Sequence, residues 1–241
     1  MDVDSSLNKL KEYLLGLPAG RYIGKIVLFG SHAKGYASHG SDIDLLIVTT
    51  DGRKLAEEIL DRIYDFMIEE GIPLEVLLAH VNDIYFPEDY FVSNILNYGR
   101  EVYSRDEVEL RRSAIEGLLN LAEEYLSGAE RIFEEGHIRI AIDAAYNAAE
   151  LAIKALILLK QKDLPGSHGG IASLFGQLYI KTEEVDRELG RNLNRALELR
   201  NRARYRIDAS FTKEEAHSVI GLAWEILSLA RAKILSMKEG H

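Results

Sequence analysis

Residues 28–48 read LFGSHAKGYASHGSDIDLLIV. An apolar run ends in Gly30-Ser31. Eleven residues past the serine, Asp42-Ile43-Asp44 opens a second apolar run. Strand side chains alternate between faces, so residues two apart point the same way. Asp42 and Asp44 are therefore expected on one face, with Ile43 and Leu45 on the other. Two carboxylates at that distance repel unless a proton or cation lies between them. Hard oxygen ligands of this kind suit Mg²⁺ or Mn²⁺.

The residues before the pair suit a phosphate. Gly30 ends a strand and lets backbone approach a ligand closely. Ser31 offers a hydroxyl and is expected to cap a short helix whose N–H groups face an anion. Lys34 follows one turn later, and Gly35 releases the chain again. His32 and His39, in the same loop, are read as bystanders. A third acid, Glu75, interrupts the apolar run IPLEVLLA (72–79). An acid inside an apolar strand is costly to bury and less costly facing a metal.

The surrounding pattern gives the fold class. Residues 4–16 read as a helix, 24–30 as a strand, 42–48 as a strand, 51–70 as a helix stopped at Gly71, and 72–79 as a strand. A helix over 88–98 and a strand over 100–104 close this α/β region. Beyond Asp106 the periodicity is helical throughout: 106–135, 138–161, about 169–180, 183–207 and 212–238. Breaks fall at Gly136, in KDLPGSHGG (162–170) and in DASFT (208–212). Thr212 and Glu215 form a capping-box pattern. The expected class is α+β: a mixed α/β domain over 1–104, then an all-α bundle over 105–241. No Gly/Ser/Pro-rich linker separates them, so packed domains with a cleft between are expected.

Composition narrows the chemistry. The chain has 241 residues, 47% of them hydrophobic, and no cysteine. Disulfides, thiolate metal sites and cysteine nucleophiles are thereby excluded. The acidic, amphipathic start does not read as a signal peptide. No stretch approaches the ~20 apolar residues that cross a bilayer. A cytoplasmic protein is expected. The net charge is −10. Residues 1–104 hold 9 Lys and Arg against 17 Asp and Glu, whereas 105–241 hold 20 against 22. A surface this acidic does not grip nucleic acid non-specifically, but a nucleoside triphosphate needs only a few donors and a metal ion.

The combination of Gly-Ser, ten residues, Asp-x-Asp and a carboxylate on a later strand resembles the DNA polymerase beta-type nucleotidyltransferases, most of all their minimal branch. That branch includes antibiotic nucleotidyltransferases and AMP-transferring antitoxins. The matching residues are Gly30, Ser31, Lys34, Gly35, Ser41, Asp42, Asp44 and Glu75, within about 20–104. The resemblance implies an enzyme of class EC 2.7.7. Asp42, Asp44 and Glu75 would hold Mg²⁺ or Mn²⁺. Gly30, Ser31, Lys34, Gly35 and Ser41 would bind ATP or another NTP. An NMP group would pass to a hydroxyl on a protein, an RNA or a small molecule. Many members carry aspartate where this chain has Glu75; some antibiotic-modifying relatives carry glutamate.

The helical half, from HIRIAIDAAYNAAELAIKALILLK to RNRARYRIDASFTKEEAHSVIGLAWEIL, resembles the HEPN (higher eukaryotes and prokaryotes nucleotide-binding) family over about 106–238. Some members are ribonucleases with an Arg, four to six residues, then His. Here Arg200 is followed by Tyr205 and no histidine. Arg131 and His137 have the spacing but lie in the wrong part of the bundle, so ribonuclease activity is not expected. On a helix, Asp143, Asn147, Glu150 and Lys154 share an arc of about 60°. That stripe either faces solvent or pairs internally, or lines the cleft with Asp143 or Glu150 as a base for the acceptor. Arg200 and Arg204 lie on an apolar arc. They either pair with Asp143 or Glu150 or bind phosphate. Arg187, Arg191, Arg195, Arg202 and Arg206 form a separate row, open to solvent, RNA or an acidic partner. A homodimer is plausible for such apolar helices. Two alternatives to an active transferase stand: a catalytically weak nucleotide-binding regulatory module, and an RNA-interacting protein of a toxin–antitoxin pair.

Overall fold

A computed structural model of the chain describes residues 3–38, 40–50, 53–86 and 89–239. They fall into two compact units, 1–114 and 115–241. The first unit contains α1 (Val3–Gly16), β1 (Ile23–Leu28), α2 (Gly30–Lys34), β2 (Ile43–Thr49), α3 (Arg53–Glu70), β3 (Leu74–His80), α4 (Asn82–Tyr85), α5 (Tyr90–Tyr98) and β4 (Arg100–Ser104). A 3₁₀ turn, Pro18–Tyr22, leads into β1. The expected starts of α3 at 51 and of α5 at 88 lie outside the described residues. The capping device for α5 is Asp89, whose carboxylate accepts from Phe91 N.

The strands form one mixed sheet in the order β3-β2-β1-β4. β1 is antiparallel to β2 and β4, and β2 is parallel to β3 across the α3 crossover. Apolar alternation sets the faces. Ile26 and Leu28 of β1 and Ile43, Leu45 and Ile47 of β2 are buried together with Leu7, Leu10 and Leu14 of α1 and Ile59, Ile63 and Phe66 of α3. Asp44, with Leu46 and Val48, belongs to the opposite face by the strand period of two. That face is where the acid sits.

The second unit is helical. It takes up α6 (Glu107–Glu134) from Ile115, then α7 (Ile138–Lys160), α8 (His168–Phe175), α9 (Arg187–Tyr205) and α10 (Lys213–Glu239). α7 is its centre and packs on α8, α9 and α10. Its alanines at 141, 145, 148, 149, 152 and 155 are buried and let neighbours approach closely. Opposite them, α10 buries Ala216, Val219, Ala223, Ile226 and Ala230, alternating three and four residues apart. The Thr212–Glu215 capping box is present in both directions: Thr212 N donates to Glu215 Oε2 at 2.9 Å and Glu215 N donates to Thr212 Oγ1 at 3.2 Å. The helix expected over 169–180 is α8 followed by a π-helical turn, Gly176–Ile180. Within it the Tyr179 hydroxyl donates to Leu156 O at 2.5 Å. No described helix is long and apolar enough to cross a membrane.

Candidate active site

The pairing of β2 with β3 decides the geometry. Asp44 and Glu75 are direct partners in the parallel ladder. Partnered residues of adjacent strands project to the same face. Each is the second residue of its strand, so both carboxylates rise from one end of one sheet face. Asp44 is half-buried. Glu75 is exposed, on the edge strand, so the burial cost expected for it does not arise.

Gly30 lies directly beneath Asp44. Its φ is +65°, a left-handed value that disfavours any side chain. A Cβ there would sit 1.8 Å from Asp44 Oδ2 and 2.6 Å from its Cγ. Phe29 N donates to Asp44 O at 2.9 Å, fixing the strand that carries the acid against the turn. The glycine thus answers both a conformational and a steric demand.

Ser31 is not the helix cap that the sequence suggested. α2 starts one residue earlier, its cap is Phe29 without a side-chain bond, and Ser31 is inside the turn. Its hydroxyl is half-buried and not committed to capping. Its carbonyl accepts from Gly35 N and, at 3.2 Å, from Tyr36 N. Gly35 closes α2 at φ 77°. Lys34 is exposed, and its Nζ lies 4.6 Å from the centroid of the Tyr98 ring, a cation–π contact. Ser41 is used locally: its Oγ accepts from Ser38 N at 3.0 Å and lies 3.1 Å from Ser38 Oγ. Asp42 is exposed and precedes the first ladder residue, Ile43.

In donor chemistry, Asp42, Asp44 and Glu75 fit a hard divalent cation: all are carboxylates, and the two with strand positions share a face. Among the described residues, no three His, Asp or Glu side chains stand close enough to hold one ion together. The three are neighbours along the fold without being gathered onto a point.

In the helical unit, the polar stripe of α7 pairs internally. Arg200 is buried at 3% exposure. Its Nε lies 3.2 Å from Asp143 Oδ1, off the hydrogen-bond direction, so the contact is an ion pair without a well-formed bond. Arg204 reaches the other oxygen at 3.3 Å. Glu150 is buried at 7% and pairs with Lys154 at 3.2 Å and with His168 Nδ1 from the start of α8. Burial alone would raise the Glu150 pKa. The His168 hydrogen bond and the Lys154 charge outweigh it and hold the carboxyl below its ordinary range. Burial, reinforced by the Glu150 charge, pushes the Tyr146 hydroxyl up. His168 was missed in the sequence; its GSHGG context reads as a turn. Arg131 falls near the end of α6 and His137 just before α7.

Two families match the chain in succession: the nucleotidyltransferase domain over residues 7–102 and the HEPN domain over 115–233. A candidate toxin of Methanocaldococcus jannaschii is 36% identical over 109 residues, which is 45% of this chain and 80% of that protein. A second candidate toxin of the same organism is 29% identical over 130 residues, 54% of this chain and 88% of that protein. A solved spectinomycin adenyltransferase from Enterococcus faecialis, with ATP and spectinomycin, is 14% identical. It aligns over 93% of this chain and 98% of that one with a TM-score of 0.31, too low to carry an argument. The chain is a nucleotidyltransferase, EC 2.7.7, and belongs to the proteins in which a nucleotidyltransferase domain is followed by a HEPN domain.

Proposed function

We propose that the chain moves an NMP group, AMP from ATP, to a hydroxyl acceptor at the site formed by α2, β2 and β3. The observation that carries this is the Asp44–Glu75 register above Gly30. Asp42, Asp44 and Glu75 would hold Mg²⁺ or Mn²⁺, which when bound neutralises charge on the phosphates and on the attacking and leaving oxygens. Gly30 gives the triphosphate close access to the backbone, and the Ser31 hydroxyl donates to a phosphate oxygen. Gly35 and Ser41 shape the loop around it. Lys34 must leave Tyr98 to reach a phosphate. The acceptor oxygen attacks the α-phosphorus in line. A new O–P bond forms, the bond to the bridging oxygen breaks, and pyrophosphate leaves. The hydroxyl proton goes to Glu75 or to water. The catalytic domain of this reading ends at Ser104, and residues 105–241 bind nucleotide or acceptor.

A second reading is favoured by a different observation. Arg187, Arg191 and Arg195 are exposed, four residues apart, and have no ion-pair partner among the described residues. Like charges at that spacing repel. Together with relatives named candidate toxins, they support an RNA contact within a toxin–antitoxin pair. RNA binding that falls steeply with salt, and flattens in Arg191→Ala/Arg195→Ala, is its expected signature.

The deciding experiment incubates each α-labelled NTP with Mg²⁺ or Mn²⁺ and a cell extract, then separates protein, RNA and small molecules. Label should enter one fraction and vanish with Asp42→Asn or Asp44→Asn. Unchanged transfer in either variant sinks the mechanism. Nucleotide binding without any transfer points instead to a sensing module in a cytoplasmic setting.

A further inference from the structure

Asp42 poses a problem that the sheet does not solve. It stands outside the ladder, so strand pairing does not fix its backbone. Its neighbours on both sides are held. Ile43 N donates to Pro73 O at 3.0 Å, ahead of β3. Ser41 O lies 3.3 Å from His32 Nε2, on α2. A carbonyl only accepts, so His32 must carry a proton on Nε2 for this bond to exist. Ser41 N in turn donates to Ser38 O at 3.1 Å, and Ser41 Oγ accepts from Ser38 N, so the carbonyl belongs to a braced turn.

From this we infer that His32 is a positioning residue for Asp42. It ties the one-turn helix that carries Ser31 to the backbone one residue before the acid. The phosphate-facing turn and the outlying carboxylate then hold a common geometry, although the described residues between Lys34 and Ile43 belong to no helix or strand. His32 touches neither phosphate nor metal in this arrangement. It acts through the Ser41 carbonyl, as partners one step removed commonly orient metal-binding groups. The inference rests on the proposed role of Asp42 as a metal ligand.

Two measurements on the full chain test it. The ¹⁵N spectrum of the histidines at mildly alkaline pH should show His32 as the Nε2–H tautomer; an Nδ1–H tautomer overturns the inference. Mn²⁺ affinity, read by electron paramagnetic resonance with a non-hydrolysable ATP analogue, should fall about tenfold or more in His32→Ala. His32→Gln places an amide N–H at the reach of the imidazole Nε2 and should stay near the wild type. Asp42→Asn should fall at least as far as His32→Ala. If Asp42→Asn weakens Mn²⁺ and a folded His32→Ala does not, the inference is wrong and the metal reading stands. If Asp42→Asn has no effect, the metal reading of Asp42 fails and the inference with it. Should His32→Ala not fold, loss of Mn²⁺ affinity in His32→Gln overturns the inference, and retention with the Nε2–H tautomer in the wild type upholds it.

Discussion

At the scale of residues, Gly30 shows how much a single position can be asked to do. From the sequence, its flexibility after an apolar strand was readable. That its missing side chain makes room for Asp44 was not, because the two are fourteen residues apart and meet only when β1 and β2 pair. Gly30→Ala therefore faces two penalties. The left-handed backbone costs a residue with a Cβ about 1–2 kcal/mol. The added methyl also overlaps the Asp44 carboxylate, so the acid must rotate away. Thermal unfolding should show a loss of about that size, and label transfer should drop far more than stability, by roughly a hundredfold or more. Equal transfer in a destabilised Gly30→Ala would separate the glycine from the chemistry. Ser31 and Lys34 teach the reverse. Their types were readable, but the start of α2 and the Tyr98 ring that attracts Lys34 depend on backbone geometry and on a partner 64 residues away.

At the scale of elements, the α7 stripe was legible as a period and illegible as a set of partners. Helical spacing put Asp143 and Glu150 on one arc. The alternative in which Arg200 and Arg204 pair with an acid is what the α7–α9 packing provides through Asp143. Glu150 instead takes Lys154 one turn on and His168 across the 162–167 loop, a contact that no local pattern encodes. With both partners engaged and the carboxyl buried, Glu150 is a structural anchor of α8 on α7. Its pKa lies below the ordinary 4.5 in the folded chain. The stabilisation it gives is thus fully present above that value and is lost as pH falls through the folded pKa. Acid unfolding of the wild type should show this loss below pH 4.5, whereas Glu150→Gln should be flatter there. At neutral pH Glu150→Gln should be destabilised by about 2 kcal/mol, because the exposed sides of His168 and Lys154 can return to water. An unchanged acid slope would remove Glu150 from the anchor.

At the scale of the whole molecule, the order of elements was readable because strand-like and helical apolar runs alternate up to about residue 104 and only helical period follows. What period cannot tell is where the first unit stops, since α6 runs without a break from Glu107 to Glu134 while the compact units divide after Ala114. The first turns of α6 pack into the first unit. Leu110 is 1% exposed, and a Cβ on Gly24 would meet its Cδ2 at 2.8 Å. Arg105 N donates to Gly24 O at 2.8 Å. Burial raises the Tyr85 hydroxyl to about 12, with the Glu107 charge adding to it and Arg111 opposing it. If the catalytic domain ends at Ser104, as proposed, then fragment 1–104 should still fold and bind Mn²⁺ with an ATP analogue. It should nevertheless be less stable than fragment 1–114, because it leaves the site of Leu110 open. Burying one leucine contributes about 2 kcal/mol, which sets the expected gap in denaturant unfolding. Fragments of equal stability would place Leu110 outside the first core. A 1–104 fragment that fails to fold while 1–114 binds the analogue would move the functional boundary into α6. The helix would then belong to catalysis as much as to the bundle it continues.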